Sequence, residues 1–295
     1  MPGSQRSHTY RLFAVTLSSL LALASCVLAC GRGAPPPPNP ANQPGARTTG
    51  YAAIGSVKLY YEVHGAGPAL LLMHGGLSSS EEFRQTIPAF ARHFRVVVID
   101  RRGHGRSADT ADPFSYAGMA DETKSVLDLL KIDAVDALGF SDGGVVAYHL
   151  AVRYPALVRR VVAVGANHLV SGMTEEGVNW TRTRLTVEGI ARDYPSVEQQ
   201  YRKLNPQSGN YDSFLRKTRD LWLRDPYIAR EELATIGVPV LFVVGDRDAI
   251  RIEHVADMYR TLKKAEMFVV PNATHFLLFE KPDFVIPMVL DFLRR

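Results

Sequence analysis

Short, continuous apolar runs recur along the chain from residue 57 onward, separated by segments in which apolar positions repeat every three or four residues. Residues 57–63 alternate between apolar and polar, as a half-buried strand does. Residues 69–73, 96–99, 135–138, 161–164, 238–244 and 267–270 are strand-length and largely apolar, and most carry β-branched residues, which suits strands buried on both faces. Helical spacing fills 82–93, 120–130, 144–154, 252–262 and 284–292. Strands of this kind alternating with helices predict an α/β fold, a mostly parallel central sheet with helices on both faces.

That rhythm stops between about residues 169 and 236, where charged and aromatic helix-favouring stretches take over. A segment of this length is too long for a structureless loop, so it predicts a helical cap inserted in the fold. Its aromatics, Trp180, Tyr194, Tyr201, Tyr211, Phe214, Trp222 and Tyr227, are expected mostly to pack the cap against the core.

The first thirty residues follow another pattern. Arg6 and Arg11 precede an uncharged stretch over 12–23, short for a membrane span and of normal length for a signal peptide. Leu23-Ala24-Ser25-Cys26 and Val27-Leu28-Ala29-Cys30 both resemble the lipobox of bacterial lipoproteins, which implies lipidation at Cys26 or Cys30. The expected location is then a bacterial cell envelope, held to the membrane by that anchor; plain signal cleavage would give a secreted or periplasmic protein instead. Residues 31–50, with Pro35 to Pro38, read as an extended spacer. Residues 51–295 remain for the folded domain.

Charge and composition narrow the function. The formal charge of +4 includes Arg6 and Arg11, and the other basic residues are scattered, which gives no case for a nucleic-acid partner. No His and carboxylate cluster has metal-ligand spacing and no nucleotide-binding glycine loop occurs, so neither metal nor cofactor is expected.

The most informative residues are Gly139-Phe140-Ser141-Asp142-Gly143, between a predicted strand and a predicted helix. A strand-to-helix turn this tight strains its central residue and leaves no room for a Cβ on either side. It lifts the Ser141 hydroxyl to a helix N-terminus, where negative charge is favoured. A serine needs a base and a group to orient that base. His275, in Pro271-Asn272-Ala273-Thr274-His275, follows the last predicted strand. Asp246 and Asp248, in Gly245-Asp246-Arg247-Asp248, follow the one before, and either carboxylate fits the third role. Upstream, His74-Gly75-Gly76 ends another strand. The N–H of Gly76, with Leu77 as a further donor, can join that of Asp142 to form an oxyanion hole. His74 is expected to shape that loop. His64, His93, His104, His149 and His254 are expected to be solvated or structural.

Each motif is weak alone; in this order and context they resemble the α/β-hydrolase fold family from about residue 51 to 295. The loop Asp100-Arg101-Arg102-Gly103-His104-Gly105-Arg106-Ser107 supports the resemblance, with Asp100 and Arg102 expected to form a structural ion pair. By that resemblance Asp248, the second aspartate of its motif, is the acid, and the expected activity is hydrolysis of small carboxylic esters through an acyl-enzyme. Gly139-Phe140-Ser141-Asp142-Gly143-Gly144, with Val164-Gly165-Ala166-Asn167, is similar to the valacyclovir hydrolase (biphenyl hydrolase-like) group. That likeness implies substrate contacts from Asp142, Asn167 and His168, with Asp142 holding an α-amino group. The alternative role for Asp142 is to cap the helix behind Ser141. Other functions considered are an α-amino-acid ester hydrolase, an aminopeptidase-like enzyme using Glu175, Glu176 and Glu188, and a non-catalytic membrane-anchored binding protein on the same fold.

Overall fold

The computed structural model describes residues 47–295. The expected signal segment, the candidate lipidation sites Cys26 and Cys30, and most of the expected spacer lie outside them. Eight strands form one sheet: β1 Arg47–Ile54, β2 Val57–His64, β3 Ala69–Met73, β4 Arg95–Ile99, β5 Val135–Phe140, β6 Val158–Val164, β7 Val240–Gly245 and β8 Ala265–Val270. Their order across the sheet is β1-β2-β4-β3-β5-β6-β7-β8. β1 pairs antiparallel with β2 and β2 with β4, and every later pair is parallel.

Helices cover both faces. They are α1 Ile87–Ala91, α2 Tyr116–Leu129, α3 Asp142–Arg153, α4 Glu175–Arg184, α5 Val187–Asp193, α6 Pro195–Leu204, α7 Tyr211–Trp222, α8 Arg230–Leu233, α9 Ile252–Thr261, α10 Leu277–Glu280 and α11 Pro282–Arg294. Because strand side chains alternate, the buried run of β3 feeds two cores. Leu71 joins Val126, Val146, Tyr148 and Met258 on one face, while Leu70 and Leu72 meet Phe83, Phe90, Val285 and Val289 on the other. Each such side chain stabilises the fold by roughly 1.5–3 kcal/mol relative to exposure.

Two expectations about element boundaries change. β1 begins at Arg47, inside the segment read as spacer. Its residues are mostly exposed, with Ala52 alone fully buried, so this edge strand, polar at Arg47-Thr48-Thr49, carried no sustained apolar run. Residues 82–93 are not one helix: a 3₁₀ turn, Ser80–Phe83, precedes α1. Pro88 stands in the first turn of α1, where a missing N–H costs no helical hydrogen bond.

The segment after β6 forms the cap, α4 to α7, before α8 leads back to β7. Tyr201, Tyr211 and Phe214 are buried, with the Tyr201 and Phe214 rings stacked at 4.8 Å between centroids. Tyr194 is an exception and stays exposed. Glu175, Glu176 and Glu188 are exposed in the first turns of α4 and α5, where the helix dipole favours acidic residues.

Register brings the functional loops together. Met73 pairs with Gly139, Phe140 with Val164, Val164 with Val243, and Gly245 with Val270. The carboxyl ends of five neighbouring strands therefore open on one edge of the sheet, the usual place for a site in such folds.

Candidate active site

Ser141 stands between β5 and α3 with φ 53° and ψ −120°, a left-handed conformation that costs a non-glycine residue roughly 1–3 kcal/mol. Its neighbours explain how the strain is held. A Cβ on Gly139 would lie 2.1 Å from the Gly143 carbonyl oxygen, and one on Gly143 would lie 2.0 Å from that of Met73. The Ser141 N–H is fixed to the Val164 carbonyl at 2.8 Å.

The structure brings Ser141, His275 and Asp248 into one hydrogen-bonded chain. Ser141 Oγ is 3.0 Å from His275 Nε2, and His275 Nδ1 is 2.7 Å from Asp248 Oδ1. A carboxylate only accepts, so Nδ1 carries the proton and Nε2 is left to accept from the serine. Asp248 Oδ1 also accepts the Ile250 N–H at 2.9 Å, and its side chain is fully buried. Asp246 is turned elsewhere, exposed, with Oδ1 accepting the Ala273 N–H at 3.1 Å. Burial pushes the His275 pKa down, but the charge and hydrogen bond of Asp248 outweigh it, and the net shift is upward. Gly165, at φ 58°, makes room for this pair. A Cβ there would lie 3.1 Å from the imidazole and from Asp248 Oδ2.

Beside the serine, the N–H groups of Gly76, Leu77 and Asp142 make no hydrogen bond to any described residue. Gly76 packs tightly: a Cβ would lie 2.4 Å from Asp142 Oδ2 and 2.5 Å from Trp222 Cζ2. His74 is buried beneath, its Nδ1 2.7 Å from the Gly75 carbonyl. His104, also buried, reaches the Gly76 carbonyl from Nε2 at 2.8 Å, and burial pushes its pKa down to about 3.

Asp142 does something neither sequence expectation contained. It stands in the first turn of α3, where the dipole favours an acidic residue, but the hydrogen bonds of its carboxylate go elsewhere. Oδ1 accepts from Tyr116 Oη and Oδ2 from Trp222 Nε1, both at 2.9 Å. One buried carboxylate thus ties the first residue of α2 to the last residue of cap helix α7. Burial raises its pKa, opposed chiefly by the Arg101 charge. Tyr116 and Trp222 were invisible as site residues, since only the seating of the cap brings them to position 142.

Asn167 and His168 are engaged at the base of the cap. Asn167 Nδ2 donates to the Leu169 carbonyl at 2.6 Å. His168 is buried, with Nδ1 3.2 Å from the Ile228 carbonyl and its ring stacked on His254 at 4.7 Å. Their polar contacts fix the chain where it enters and leaves the cap.

The expected ion pair between Asp100 and Arg102 does not form. Asp100 accepts the Ser80 and Arg106 N–H groups at 2.6 and 2.8 Å, with the Arg106 guanidinium 3.7 Å away. Arg102 pairs with Asp109 at 3.0 Å and Glu122 at 2.9 Å. The tight turn at Gly103 and Gly105, both with positive φ, sends the two side chains to different neighbours.

Comparison with known proteins identifies the family. Residues 70–287 match the profile described as "Alpha/beta hydrolase family". The human protein "Serine hydrolase BPHL" is 30% identical over 263 residues, covering 84% of this chain and 87% of its own. A "Pimeloyl-[acyl-carrier protein] methyl ester esterase" from Nitrosospira multiformis is 28% identical, covering 82% of this chain and all of its own. Among solved structures, a putative lipase from Acinetobacter baumannii superimposes with a TM-score of 0.73 at 18% identity, covering 84% of this chain and 91% of its own. That last likeness speaks to the fold alone.

Proposed function

Because the chain belongs to the alpha/beta hydrolase family and is a hydrolase, we propose that it cleaves small carboxylic esters through an acyl-enzyme on Ser141. The observation that carries this reading is the chain Ser141–His275–Asp248, with the serine strained at the head of α3. Esterase names among the relatives support the substrate class.

In the reaction, His275 Nε2 takes the hydroxyl proton as Ser141 Oγ attacks the ester carbonyl. The carbonyl oxygen gains negative charge, which the N–H groups of Gly76, Leu77 and Asp142 stabilise. The carbon–oxygen bond to the alcohol breaks, and the alcohol leaves with the proton from His275. Water then attacks the acyl group, passing its proton through His275, and the acid departs from a restored Ser141. Asp248 stabilises the imidazolium in both halves. A p-nitrophenyl ester mixed with enzyme in a stopped flow is expected to release a burst of one nitrophenolate per site before steady turnover, wherever deacylation is the slower half. Linear release from the first turnover, under conditions where single-turnover acylation is faster than kcat, would contradict the intermediate.

A second reading, an α-amino-acid ester hydrolase, is favoured by one observation. Asp142 is an acidic group beside the nucleophile whose hydrogen-bond partners, Tyr116 and Trp222, are both neutral, so a substrate ammonium would add a charged hydrogen-bond partner to the longer-range Arg101 charge. The expected result is a higher kcat/KM for a valine ester than for the matching pentanoic ester, with the preference lost in Asp142→Asn. Equal rates, unchanged in the variant, would remove this reading and leave the general esterase.

A further inference from the structure

Beside the nucleophile, side chains hold four backbone groups of the loop His74-Gly75-Gly76-Leu77: the carbonyls of His74, Gly75 and Gly76 and the N–H of Gly75. The Arg101 guanidinium donates to the His74 carbonyl and, at 2.9 Å, to the Gly75 carbonyl. The Gly75 N–H donates to Glu82 Oε2 at 2.8 Å. The Gly76 carbonyl meets His104 Nε2 at 2.8 Å. The N–H groups of Gly76 and Leu77 have no hydrogen-bond partner among the described residues.

Those two N–H groups belong to the same peptide units as the anchored carbonyls. Gly75 C=O and Gly76 N–H form one unit, and Gly76 C=O and Leu77 N–H the next. A peptide carbonyl that accepts a hydrogen bond polarises its own unit and makes the N–H at the other end a stronger donor, by about 10–30% per bond. A charged donor does this more strongly than a neutral one. Arg101 is such a donor, 2% exposed, and it forms no ion pair with any described carboxylate. Its charge is directed at backbone carbonyls, with the Asp142 carboxylate as the chief opposing charge nearby.

We propose that Arg101 is a positioning residue for the oxyanion hole, fixing the peptide between Gly75 and Gly76 and strengthening the N–H that faces the substrate carbonyl. The proposal rests on the acyl-transfer reading above. A residue of this kind leaves ground-state binding alone and acts where charge develops.

A trifluoromethyl ketone tests it, because Ser141 Oγ adds to its carbonyl carbon to give a hemiketal whose oxygen carries the charge of the tetrahedral intermediate. Folding of Arg101→Met and Arg101→Lys is checked by near-UV circular dichroism. Folded Arg101→Met is expected to lose roughly 10- to 100-fold in kcat, less than or comparable to losing an oxyanion donor outright. KM should stay within about threefold, as expected for an interaction made only in the transition state. Affinity for the ketone should fall by the same factor as kcat/KM, and inhibition by the product acid should not change. Arg101→Lys, which keeps the charge but cannot span both carbonyls, should fall between, and it carries the test where the methionine variant does not fold. Wild-type ketone affinity in either folded variant would overturn the role of Arg101. A kcat loss matched by a weaker product acid, with ketone and acid affinities falling together, would overturn it equally. A wild-type enzyme that binds no ketone would overturn the acyl-transfer reading itself, and the proposal with it.

Discussion

Ser141→Ala is expected to lower kcat on a p-nitrophenyl ester by about 10⁶-fold, with KM little changed and the fold intact. The size of the loss follows from the chemistry. Without Oγ no acyl-enzyme forms, and His275 has only a loosely held water to activate. A residual rate about 10³ above the uncatalysed reaction should persist, because the oxyanion hole and the binding site survive. Stability should not fall. Ser141 Oγ makes one hydrogen bond, to His275, and alanine keeps the same strained backbone. A variant that retained more than about one hundredth of the activity would remove Ser141 from the mechanism.

Asp248→Asn should cost about 10⁴-fold in kcat and also move the pH profile, which separates it from simple misfolding. His275 works as a base only when neutral. In the wild type its pKa is raised above 6.5, because the charge and hydrogen bond of Asp248 outweigh burial. The acid limb of kcat/KM should therefore lie above pH 6.5, with activity falling as pH drops through it. Asparagine removes the largest opposing charge and leaves burial, which disfavours the imidazolium, so the limb should move to lower pH. The asparagine amide also holds the wrong proton partner toward Nδ1, which accounts for most of the lost rate. A pH profile that did not move would mean that Asp248 does not face His275 in the working enzyme.

Much of this site was legible in the sequence, and for a physical reason. Strands buried on both faces are apolar along most of their length, so residues 69–73 and, despite the buried Asp136, 135–138 announced themselves, and a parallel sheet gathers their carboxyl ends. Motifs at those ends were therefore readable as neighbours although 134 residues separate Ser141 from His275. The partners of Asp142 were not readable in this way. Tyr116 and Trp222 lie 26 and 80 residues from it, and Trp222 arrives on a cap helix whose seating depends on packing, not on strand order. β1 escaped because an edge strand need bury only one side, and here almost none of it. The false pairing of Asp100 with Arg102 came from sequence proximity, whereas a glycine-rich turn separates their side chains and gives Arg102 to Asp109 and Glu122.

Arg101 shows the same limit from another side. Its position within the loop was visible, but a guanidinium is normally expected to find a carboxylate. Only the backbone path of His74 to Leu77 reveals that its partners are carbonyl oxygens. That the site is lined by fixed dipoles is consistent with catalysis by preorganised electrostatics, in which groups aimed at developing charge need not move as it forms.

The central claim, that Ser141 is the covalent nucleophile, is tested most directly by the mass of the protein after exposure to a fluorophosphonate. The account predicts a single adduct per chain, located by peptide mapping on the Gly139-Phe140-Ser141-Asp142-Gly143 segment and absent from Ser141→Ala. A protein left unlabelled, or labelled equally in the alanine variant, would contradict it.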